Sequence, residues 1–334
     1  MIQKIAVIGA GSWGTTLAQL LSDNGHGVVL WVRNPDKARE IEETRINAEY
    51  LPALRLQDNV IVTSDLAYAV NQAQTLFLVV PSHGMANLCY SLSLLPEIRN
   101  KTIVSCTKGF DYETGLRMSE IIASQISLAS IAVLSGPNLA EEIALRQPAA
   151  TVIACKNEFI GKELQETLIN DYFRPYLTDD VLGVELAGSL KNVIALTSGM
   201  MAGLGFGENS QAALITRGLT EITRLGVRMG AQNQTFGGLA GIGDLIATCT
   251  SGHSRNRRAG EALVAGKSLT EILSGTKMVI EGINATITAN RLAKLHEVEM
   301  PISESIYQIL YENKPPRTAL QELMRRSGKR EYVI

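Results

Sequence analysis

The sequence predicts an α/β fold in which a doubly wound, mainly parallel sheet is followed by an all-α domain. Short apolar runs alternate with helical or loop segments through the first half of the chain, which is typical of β-α-β units. After residues 174–178 the apolar residues recur at helical spacing. A length of 334 residues suits about two domains, each with its own core. We therefore expect a sheet domain over residues 1–184 and an all-helical domain over residues 185–334.

The composition is that of an ordinary folded protein without a marked charge excess. Charged residues make up 19% of the chain and the formal net charge is −2, so nothing favours nucleic acid or an anionic membrane as a partner. The first residues lead directly into an apolar strand without a signal-peptide pattern, and the four cysteines show no paired or metal-ligand spacing. We therefore expect a cytoplasmic protein with reduced thiols and no metal site.

A glycine-rich turn, GAGSWG at residues 9–14, follows the first predicted strand. A helical stretch comes next, and a second apolar run at residues 28–32 completes a strand-helix-strand unit. In this context Gly9 permits a tight turn, Gly11 lets backbone amides approach a pyrophosphate, and Gly14 lets the helix pack on the strand. The pattern therefore predicts a dinucleotide-binding (Rossmann) domain rather than a chance glycine turn.

The residue after the second strand bears on the choice of dinucleotide. An NAD site usually has an acidic residue there, which binds the ribose hydroxyls. This chain has Arg33, whose guanidinium could pair with a 2′-phosphate or stack on adenine. An exposed loop arginine before Pro35 is an equally good interpretation. The expected cofactor is therefore NAD or NADP.

Ligands of doubly wound sheets bind at the carboxyl ends of the strands. Three loops follow predicted strands in this way, at residues 81–83, 107–109 and 136–138. Lys108 could meet an anionic substrate, or it could be a solvated loop lysine. Asn138 with Glu141 matches a helix-capping pair, which alone would account for Asn138. His83 could be an acid or a base, although a histidine in a turn after proline is more often structural.

A long apolar helix is predicted over residues 186–207, with Lys191 as its only ionisable side chain. Gly199 and Gly203 would let a neighbouring helix come close. The length approaches that of a membrane span, but the polar residues favour a buried helix without a stable membrane anchor. A buried lysine needs a partner, because removing water from an ammonium costs several kcal/mol. The alternative is a lysine whose stem covers apolar surface while its amine reaches water.

Residues that suit a phosphate follow in the carboxyl-terminal half. Asp244 lies in a neutral stretch with Thr248 on the same helical face, and it could be functional or an ordinary carboxylate at a helix N-terminus. Residues 254–258, SRNRR, combine a hydroxyl, a helix start and three guanidinium groups, which together suit a phosphate. A solvated basic face is the alternative, and it explains the last two arginines better than Arg255.

Helical signals continue to the end of the chain. Residues 214–229 carry apolar side chains at helical spacing. Ser268 with Glu271, and Thr318 with Gln321, match the pattern of helix caps. These signals complete the prediction of an all-helical second domain.

Several motifs occur in order along nearly the whole chain. They are GAGSWGT at Gly9, VPSH at Pro81, TKG at Lys108, SGP at Gly136, ELAGSLKN at Lys191, GLAGIGDL at Asp244 and SRNRRAG at Arg255. Together they resemble the bacterial NAD(P)-dependent glycerol-3-phosphate dehydrogenases. The resemblance implies a Rossmann domain, an all-helical carboxyl-terminal domain, and interconversion of sn-glycerol 3-phosphate and dihydroxyacetone phosphate. It also implies a supply of glycerol 3-phosphate for glycerophospholipid synthesis in the cytoplasm, and we expect a homodimer.

The resemblance implies roles for individual residues. Lys191 matches the catalytic lysine and Asp244 the carboxylate beside it. The substrate-binding positions are Lys108, Gly136, Asn138, Asn192, Thr248, Ser254, Arg255 and Asn256. The cofactor-binding positions are Gly9, Gly11, Ser12, Trp13, Gly14, Arg33, Lys108, Ala140, Arg255, Val279 and Glu281. After SGP the family usually has a hydroxyl residue and then Phe, whereas this chain has Asn138 and Leu139.

The implied mechanism is a hydride transfer assisted by a lysine. Lys191 would donate a proton to the developing alkoxide, and Asp244 and Lys108 would tune and orient its ammonium group. Arg255 and Asn256 would hold the phosphate. One alternative is a reductase of a non-phosphorylated hydroxy acid, which the arginine cluster disfavours. The other is an NAD(P)-binding sensor or regulatory module, which would not need a lysine on a buried helix.

Overall fold

The structure is a computed structural model that describes residues 3–127, 129–276, 279–328 and 331. The chain forms two compact units. The amino-terminal unit comprises Met1–Gly188 and Ala231–Asp244, and the carboxyl-terminal unit comprises Ser189–Gly230 and Leu245–Ile334. The sequence did not indicate that the short segment 231–244 belongs with the first unit. The predicted boundary after residue 184 stays a prediction.

An eight-stranded sheet forms the centre of the amino-terminal unit. The strands of this unit are β1 (Lys4–Ile8), β2 (Gly27–Trp31), β3 (Ile46–Asn47), β4 (Leu51–Arg55), β5 (Val60–Thr63), β6 (Thr75–Leu78), β7 (Thr102–Ser105), β8 (Ser130–Ser135), β9 (Ala149–Cys155) and β10 (Phe173–Thr178). The order in the large sheet is β10-β9-β8-β7-β6-β1-β2-β5. Neighbouring strands are parallel except β8 and β9, which are antiparallel. The predicted doubly wound, mainly parallel sheet is therefore confirmed.

Helices account for most of the remaining structure. They are α1 (Ser12–Asp23), α2 (Pro35–Thr44), α3 (Leu66–Gln72), α4 (Met85–Ser93), α5 (Met118–Gln125), α6 (Ala140–Ala144), α7 (Glu158–Leu168), α8 (Val181–Gly203), α9 (Glu208–Arg228), α10 (Asn233–Phe236), α11 (Asp244–Thr250), α12 (Arg255–Val264), α13 (Leu269–Ser274), α14 (Glu281–Leu295), α15 (Pro301–Tyr311) and α16 (Pro316–Met324). Apart from α10, residues 181–188 of α8 and Asp244 of α11, the helices from α8 onward belong to the carboxyl-terminal unit, which confirms the predicted all-helical domain.

Both faces of the large sheet are covered. Ile5 and Val7 of β1 pack with residues of α1, α2 and α7 on one face. Ala6 and Ile8 pack with residues of α3, α4 and α5 on the other. All four side chains are fully buried, because successive residues of a strand point to opposite faces and each face carries helices. This burial explains why the first strand is a continuous apolar run.

Helix α8 is almost entirely buried, as its apolar composition predicts. Its length and hydropathy would allow it to cross a membrane, but 89% of its most apolar window is buried inside the protein, as in the core helix of a folded domain. A Cβ on Gly199 would lie 1.8 Å from the carbonyl oxygen of Arg257, so α8 and α12 meet backbone to backbone. The predicted close approach of a neighbouring helix is confirmed at Gly199 and at Gly203.

The first turns of α8 are fixed to the sheet domain by a buried carboxylate. Glu185 accepts hydrogen bonds from Arg117 Nη1 at 2.6 Å and from the Ser119 amide at 2.8 Å. Burial raises the pKa of the Glu185 carboxyl, and Arg117 and Ser119 oppose that shift. These bonds join the start of α8 to the N-terminus of α5.

The two helix caps predicted in the carboxyl-terminal half have different outcomes. Ser268 and Glu271 form the predicted reciprocal cap of α13. The prediction that Thr318 begins a helix is wrong, because α16 begins earlier, at Pro316 after Pro315. A proline is well placed in a first helical turn, since its missing amide proton is not needed there.

Glu221 of α9 is a buried carboxylate in the carboxyl-terminal unit. It accepts hydrogen bonds from the amides of Ile302 at 2.8 Å and Ser303 at 3.3 Å, at the N-terminus of α15. Burial raises the pKa of Glu221 to about 7, although these two amides and Arg224 oppose the shift. Because the folded protein binds this proton more tightly than the unfolded chain, the stability contributed by protonation is present below pH 4.5 and is lost as the pH rises through 7.

We predict a pH-dependent difference in stability between the wild type and Glu221→Gln. Between pH 5 and pH 8, the free energy of unfolding of the wild type should fall relative to that of the variant, by up to about 3 kcal/mol. Urea unfolding across this pH range measures the difference. Glu208→Gln, at an exposed position of the same helix, is the control. A constant difference between wild type and Glu221→Gln would contradict this account.

Candidate active site

The glycine-rich turn connects β1 to α1, and each of its glycines has a distinct environment. Gly9 has a φ of 120°, and a Cβ there would lie 2.3 Å from the carbonyl oxygen of Val79. A Cβ on Gly14 would lie 1.8 Å from the carbonyl oxygen of Gly9, so both glycines are required by packing. A Cβ on Gly11 would have no described atom within 4 Å. Gly11 therefore leaves open space at the start of α1, which fits the close approach of a pyrophosphate to backbone amides.

The small β3–β4 hairpin borders this turn. Asn47 donates hydrogen bonds to the carbonyl oxygen of Ala10 and to Thr15 Oγ1, both at 2.8 Å. Ser12 Oγ donates to the carbonyl oxygen of Tyr50 at 3.4 Å. Asn47 and Tyr50 were not predicted from the sequence, since the signal for this two-residue strand and its partner is weak. Their contacts fix the Ala10 carbonyl, Ser12 and Thr15 beside the glycines.

Three other predicted cofactor residues of the amino-terminal unit are Ala140, Trp13 and Arg33. The Thr16 hydroxyl of α1 donates to the carbonyl oxygen of Ala140 at 3.1 Å. Trp13 packs against Phe173 with ring centroids 6.4 Å apart. Arg33 follows β2 and is exposed, which fits either of its two interpretations.

Lys108 follows β7 and joins two buried groups of the amino-terminal unit. Its Nζ donates to the carbonyl oxygen of Gly136 at 2.8 Å and lies 2.6 Å from Asp244 Oδ2. Asp244 is only 2% exposed and begins α11 after a wide helical turn, Leu239–Gly243. A Cβ on Gly188 of α8 would lie 3.6 Å from Lys108 Cγ, so the lysine stem packs beside that glycine. The ion pair offsets the cost of burying the carboxylate.

Asn138 does not cap a helix. Helix α6 begins at Ala140, and Leu139 is the residue before its first turn, without a side-chain cap. The capping prediction for Asn138 is therefore wrong. Its side-chain nitrogen instead donates to Thr151 Oγ1 on β9 at 2.9 Å. Gly136, two residues earlier, has a φ of 147° and lies against Thr151, where a Cβ would be 3.1 Å from the Thr151 Cα.

Lys191 is buried in the carboxyl-terminal unit, with 5% of its surface exposed. Its Nζ donates a hydrogen bond to Thr248 Oγ1 of α11. A lysine with so little exposed surface needs polar partners in the protein, as expected from the sequence. Asp244 and Thr248 both belong to α11, as their spacing predicted.

The polar side chains after Lys191 form a connected network. Asn192 Oδ1 accepts from Asn256 Nδ2 at 2.9 Å, and Asn256 Oδ1 accepts from the Gly282 amide at 2.9 Å. A Cβ on Gly282 would lie 2.6 Å from the Asn192 carbonyl oxygen, so the start of α14 packs tightly against α8. Glu281, a predicted cofactor residue, is the first residue of α14.

The predicted phosphate-binding residues lie at the N-terminus of α12. Ser254 caps this helix by accepting from the Arg257 amide at 3.3 Å. Arg255 is exposed, and its guanidinium donates to the carbonyl oxygen of Val279 at 2.7 Å. Arg257 instead lies 3.3 Å from Glu261, one turn further along α12, as expected for a residue on a solvated face. A helix start next to a guanidinium is a suitable environment for a phosphate.

Within the described parts of the chain, no group of three His, Cys, Asp or Glu side chains is arranged to hold a metal ion. The predicted site residues instead comprise Lys108 and the buried Asp244 in the amino-terminal unit, and a buried amine with amides and hydroxyls in the carboxyl-terminal unit. Such groups can bind a polar substrate and transfer protons. The glycine turn in its β-α-β context adds a site that fits a dinucleotide.

Fold and site together define a dinucleotide-dependent dehydrogenase. Residues 4–160 match the family model for the NAD-dependent glycerol-3-phosphate dehydrogenase N-terminus, and residues 180–321 match that for the C-terminus. The chain belongs to this family of NAD(P)-dependent oxidoreductases, as the motifs indicated.

Comparisons with individual proteins agree with the family assignment. The chain is 48% identical to a glycerol-3-phosphate dehydrogenase [NAD(P)+] of Geobacter sp. (strain M21), with 100% of both chains covered. It is 44% identical to a glycerol-3-phosphate dehydrogenase [NAD(P)+] of Lacticaseibacillus casei (strain BL23), covering 99% of this chain and 97% of the relative. A crystal structure of glycerol-3-phosphate dehydrogenase from Coxiella burnetii superposes with a TM-score of 0.92 at 38% identity, covering 97% and 99% of the two chains.

We predict opposite effects for alanine at two glycines of the turn. Gly14→Ala should destabilise the fold, because its Cβ would collide with the Gly9 carbonyl, and the apparent Tm should fall by several degrees. Gly11→Ala has no such clash, so its Tm should change little while its affinity for NADH falls at least about tenfold, since one added methyl blocks the backbone approach. Thermal unfolding and NADH fluorescence titration measure the two quantities. Unchanged NADH affinity in a folded Gly11→Ala would count against the assignment.

Proposed function

We propose that this protein interconverts sn-glycerol 3-phosphate and dihydroxyacetone phosphate with NAD(P), and that Lys191 is its proton donor. The observation that carries the proposal is the burial of Lys191, which lies in the ELAGSLKN motif. Its amine donates a hydrogen bond to Thr248 Oγ1. An amine buried in an apolar helix is costly unless it has a polar partner, and a site for proton transfer gives it one.

Proton transfer is the task assigned to Lys191. When bound, the nicotinamide ring supplies the hydride to the ketone carbon in the direction of reduction. As the carbonyl oxygen gains negative charge, the Lys191 ammonium gives it a proton and becomes a neutral amine. In the direction of oxidation, the neutral amine takes the hydroxyl proton back. The Thr248 hydroxyl holds the amine in place by accepting one of its hydrogen bonds.

We assign Lys108, Gly136 and Asp244 to the same reaction. We propose Asp244 as the catalytic carboxylate, as the sequence motifs implied, because a buried carboxylate stabilises the charged form of a nearby amine. In the amino-terminal unit that amine is Lys108, which is held by Asp244 and by the Gly136 carbonyl. An ammonium group fixed in this way attracts an anionic substrate without having to be ordered when the substrate binds.

The phosphate of the substrate is assigned to the N-terminus of α12. Arg255, Ser254 and Asn256 present a guanidinium, a helix start and an amide there. Asn192 orients the Asn256 amide through their shared hydrogen bond. Binding energy from the phosphate, which takes no part in the chemistry, can then position the carbonyl group for reaction.

The remaining assignments concern the cofactor and the cellular setting. We infer that the dinucleotide is bound by Gly9, Gly11, Ser12, Trp13, Gly14, Arg33, Lys108, Ala140, Arg255, Val279 and Glu281. The proposed setting is a cytoplasmic homodimer that supplies glycerol 3-phosphate for glycerophospholipid synthesis. Support for this setting comes from membership of the glycerol-3-phosphate dehydrogenase family.

A spectrophotometric assay tests the proposed function. We predict that the purified protein oxidises NADH or NADPH when dihydroxyacetone phosphate is added, because the glycine turn is proposed to bind the dinucleotide and the α12 N-terminus the phosphate. Dihydroxyacetone lacks the phosphate, so its kcat/KM should be lower by at least about 100-fold. Efficient reduction of a keto acid that carries no phosphate would instead favour the alternative that the protein is a hydroxy-acid reductase. Dinucleotide binding without any turnover would favour the sensor alternative.

A further inference from the structure

The side chain of Asn47 joins the β3–β4 hairpin to the glycine turn between β1 and α1. Its Nδ2 donates to the carbonyl oxygen of Ala10 and to Thr15 Oγ1, both at 2.8 Å. A carbonyl oxygen can only accept, so the amide nitrogen of Asn47 must be the atom that faces Ala10. Asn47 is 3% exposed and Thr15 is fully buried, so the two bonds are shielded from bulk water.

The bond to Ala10 determines the direction of the next backbone amide. The peptide bond between Ala10 and Gly11 is planar and trans, so the Ala10 carbonyl and the Gly11 N–H point in opposite directions. Because the carbonyl oxygen faces Asn47, the Gly11 N–H faces away from the hairpin. No turn or loop carbonyl in the described part of the chain accepts from this N–H. A Cβ on Gly11 would meet no described atom within 4 Å, so space for a ligand lies beside it.

We propose that Asn47 is a positioning residue for the dinucleotide, which holds the Ala10 carbonyl so that the Gly11 N–H stays available to the pyrophosphate. This inference rests on the proposed binding of NAD(P) at the glycine turn. Asn47 itself touches neither the cofactor nor the substrate in this account. It acts on the cofactor through one peptide plane of the turn.

Reversal of that peptide plane would be unfavourable for an anion. The first amides of an α-helix have no partner within the helix and form its positive end, and Gly11 directly precedes α1. A Gly11 N–H on the open side of the turn extends this group of donors by one. If the plane turned over, the Ala10 carbonyl oxygen would take that side and repel the phosphates. Asn47 prevents this by giving the carbonyl oxygen a donor on the hairpin side.

Asn47 can hold the turn because its own position is fixed. Its carbonyl oxygen accepts from the Tyr50 amide at 3.2 Å, which closes the hairpin turn. At the base of the hairpin, Arg45 is 8% exposed and its Nη2 donates to the carbonyl oxygens of Gln57 and Val60. The hairpin is thus attached to the edge strand β5 on one side and to the glycine turn on the other. The Asn47 side chain therefore does not have to be ordered when the dinucleotide binds.

The test measures binding of ADP-ribose, which contains the pyrophosphate but no nicotinamide. Asn47→Leu keeps the approximate volume of the side chain and removes its donor, so the Ala10–Gly11 plane is no longer held. The Kd for ADP-ribose, measured by titration calorimetry, should rise by at least about tenfold, because a hydrogen bond from an amide to a charged phosphate is weakened. With saturating NADH and dihydroxyacetone phosphate, kcat should stay within about threefold of the wild type, since the turn takes no part in proton transfer.

Thr15→Val is the matched control for structural support. It removes the second acceptor of the Asn47 amide and leaves the bond to Ala10. Each of the two variants leaves a buried polar group without its partner, so the Tm should fall in both. The Kd of Thr15→Val for ADP-ribose should nevertheless stay within about threefold of the wild type. If Asn47→Leu does not fold, the smaller Asn47→Ala takes its place.

The outcomes separate this inference from the proposed function. A wild type that binds neither NADH nor ADP-ribose overturns the proposed binding of the dinucleotide. A wild type that binds both, together with a folded Asn47 variant whose Kd for ADP-ribose rises less than about tenfold, overturns the role of Asn47 and leaves the proposed function standing. An equal rise in Asn47→Leu and Thr15→Val also overturns it, because loss of support would explain both. A rise confined to the Asn47 variant supports it.

Discussion

Burial of a single amine, that of Lys191, is the constraint on which the carboxyl-terminal unit depends. From residue 186 to residue 207 no other side chain is ionisable, and Lys191 is only 5% exposed. Stripping water from an ammonium costs several kcal/mol unless polar groups replace the water. Thr248 supplies such a group, so α11 has to lie beside α8. The glycine contact between α8 and α12 brings the proposed phosphate-binding helix to the same helix.

The amino-terminal unit meets a similar constraint with a buried carboxylate. Asp244 is nearly inaccessible, and Lys108 supplies the compensating charge at 2.6 Å. The same ammonium binds the Gly136 carbonyl, which ties the loop after β7 to the turn after β8. In a doubly wound sheet these loops leave the carboxyl ends of adjacent strands, so one ion pair organises several of them. In the proposed function, this ammonium is already held in place when the anionic substrate binds.

Much of the fold could be predicted because its signals are local. The glycines at residues 9–14 and the apolar runs around them define a β-α-β unit, and the apolar spacing after residue 181 defines helices. The motifs also gave the family, which both family models confirm. The antiparallel pairing of β8 and β9 was not predicted, since strand direction depends on how the intervening chain returns to the sheet.

Features that depend on distant partners could not be predicted. Asn138 matched a helix cap in the sequence, but its partner is Thr151, thirteen residues away on strand β9. Asn47 reaches the glycine turn from a strand of two residues, which is too short to show alternation. The pairing of Lys108 with Asp244 joins residues 136 positions apart. In each case a polar side chain was visible in the sequence, while the group that determines its role was not.

The most direct test of the central claim is the turnover of Lys191→Ala with dihydroxyacetone phosphate and saturating NADH. A lysine that acts as general acid contributes about 10²- to 10⁴-fold to the rate, so kcat should fall by at least about 100-fold while the Kd for NADH changes by no more than about threefold. Lys267→Ala, at an exposed lysine of the same unit, should retain wild-type values of both. A Lys191→Ala enzyme whose kcat stays within about tenfold of the wild type would contradict the account.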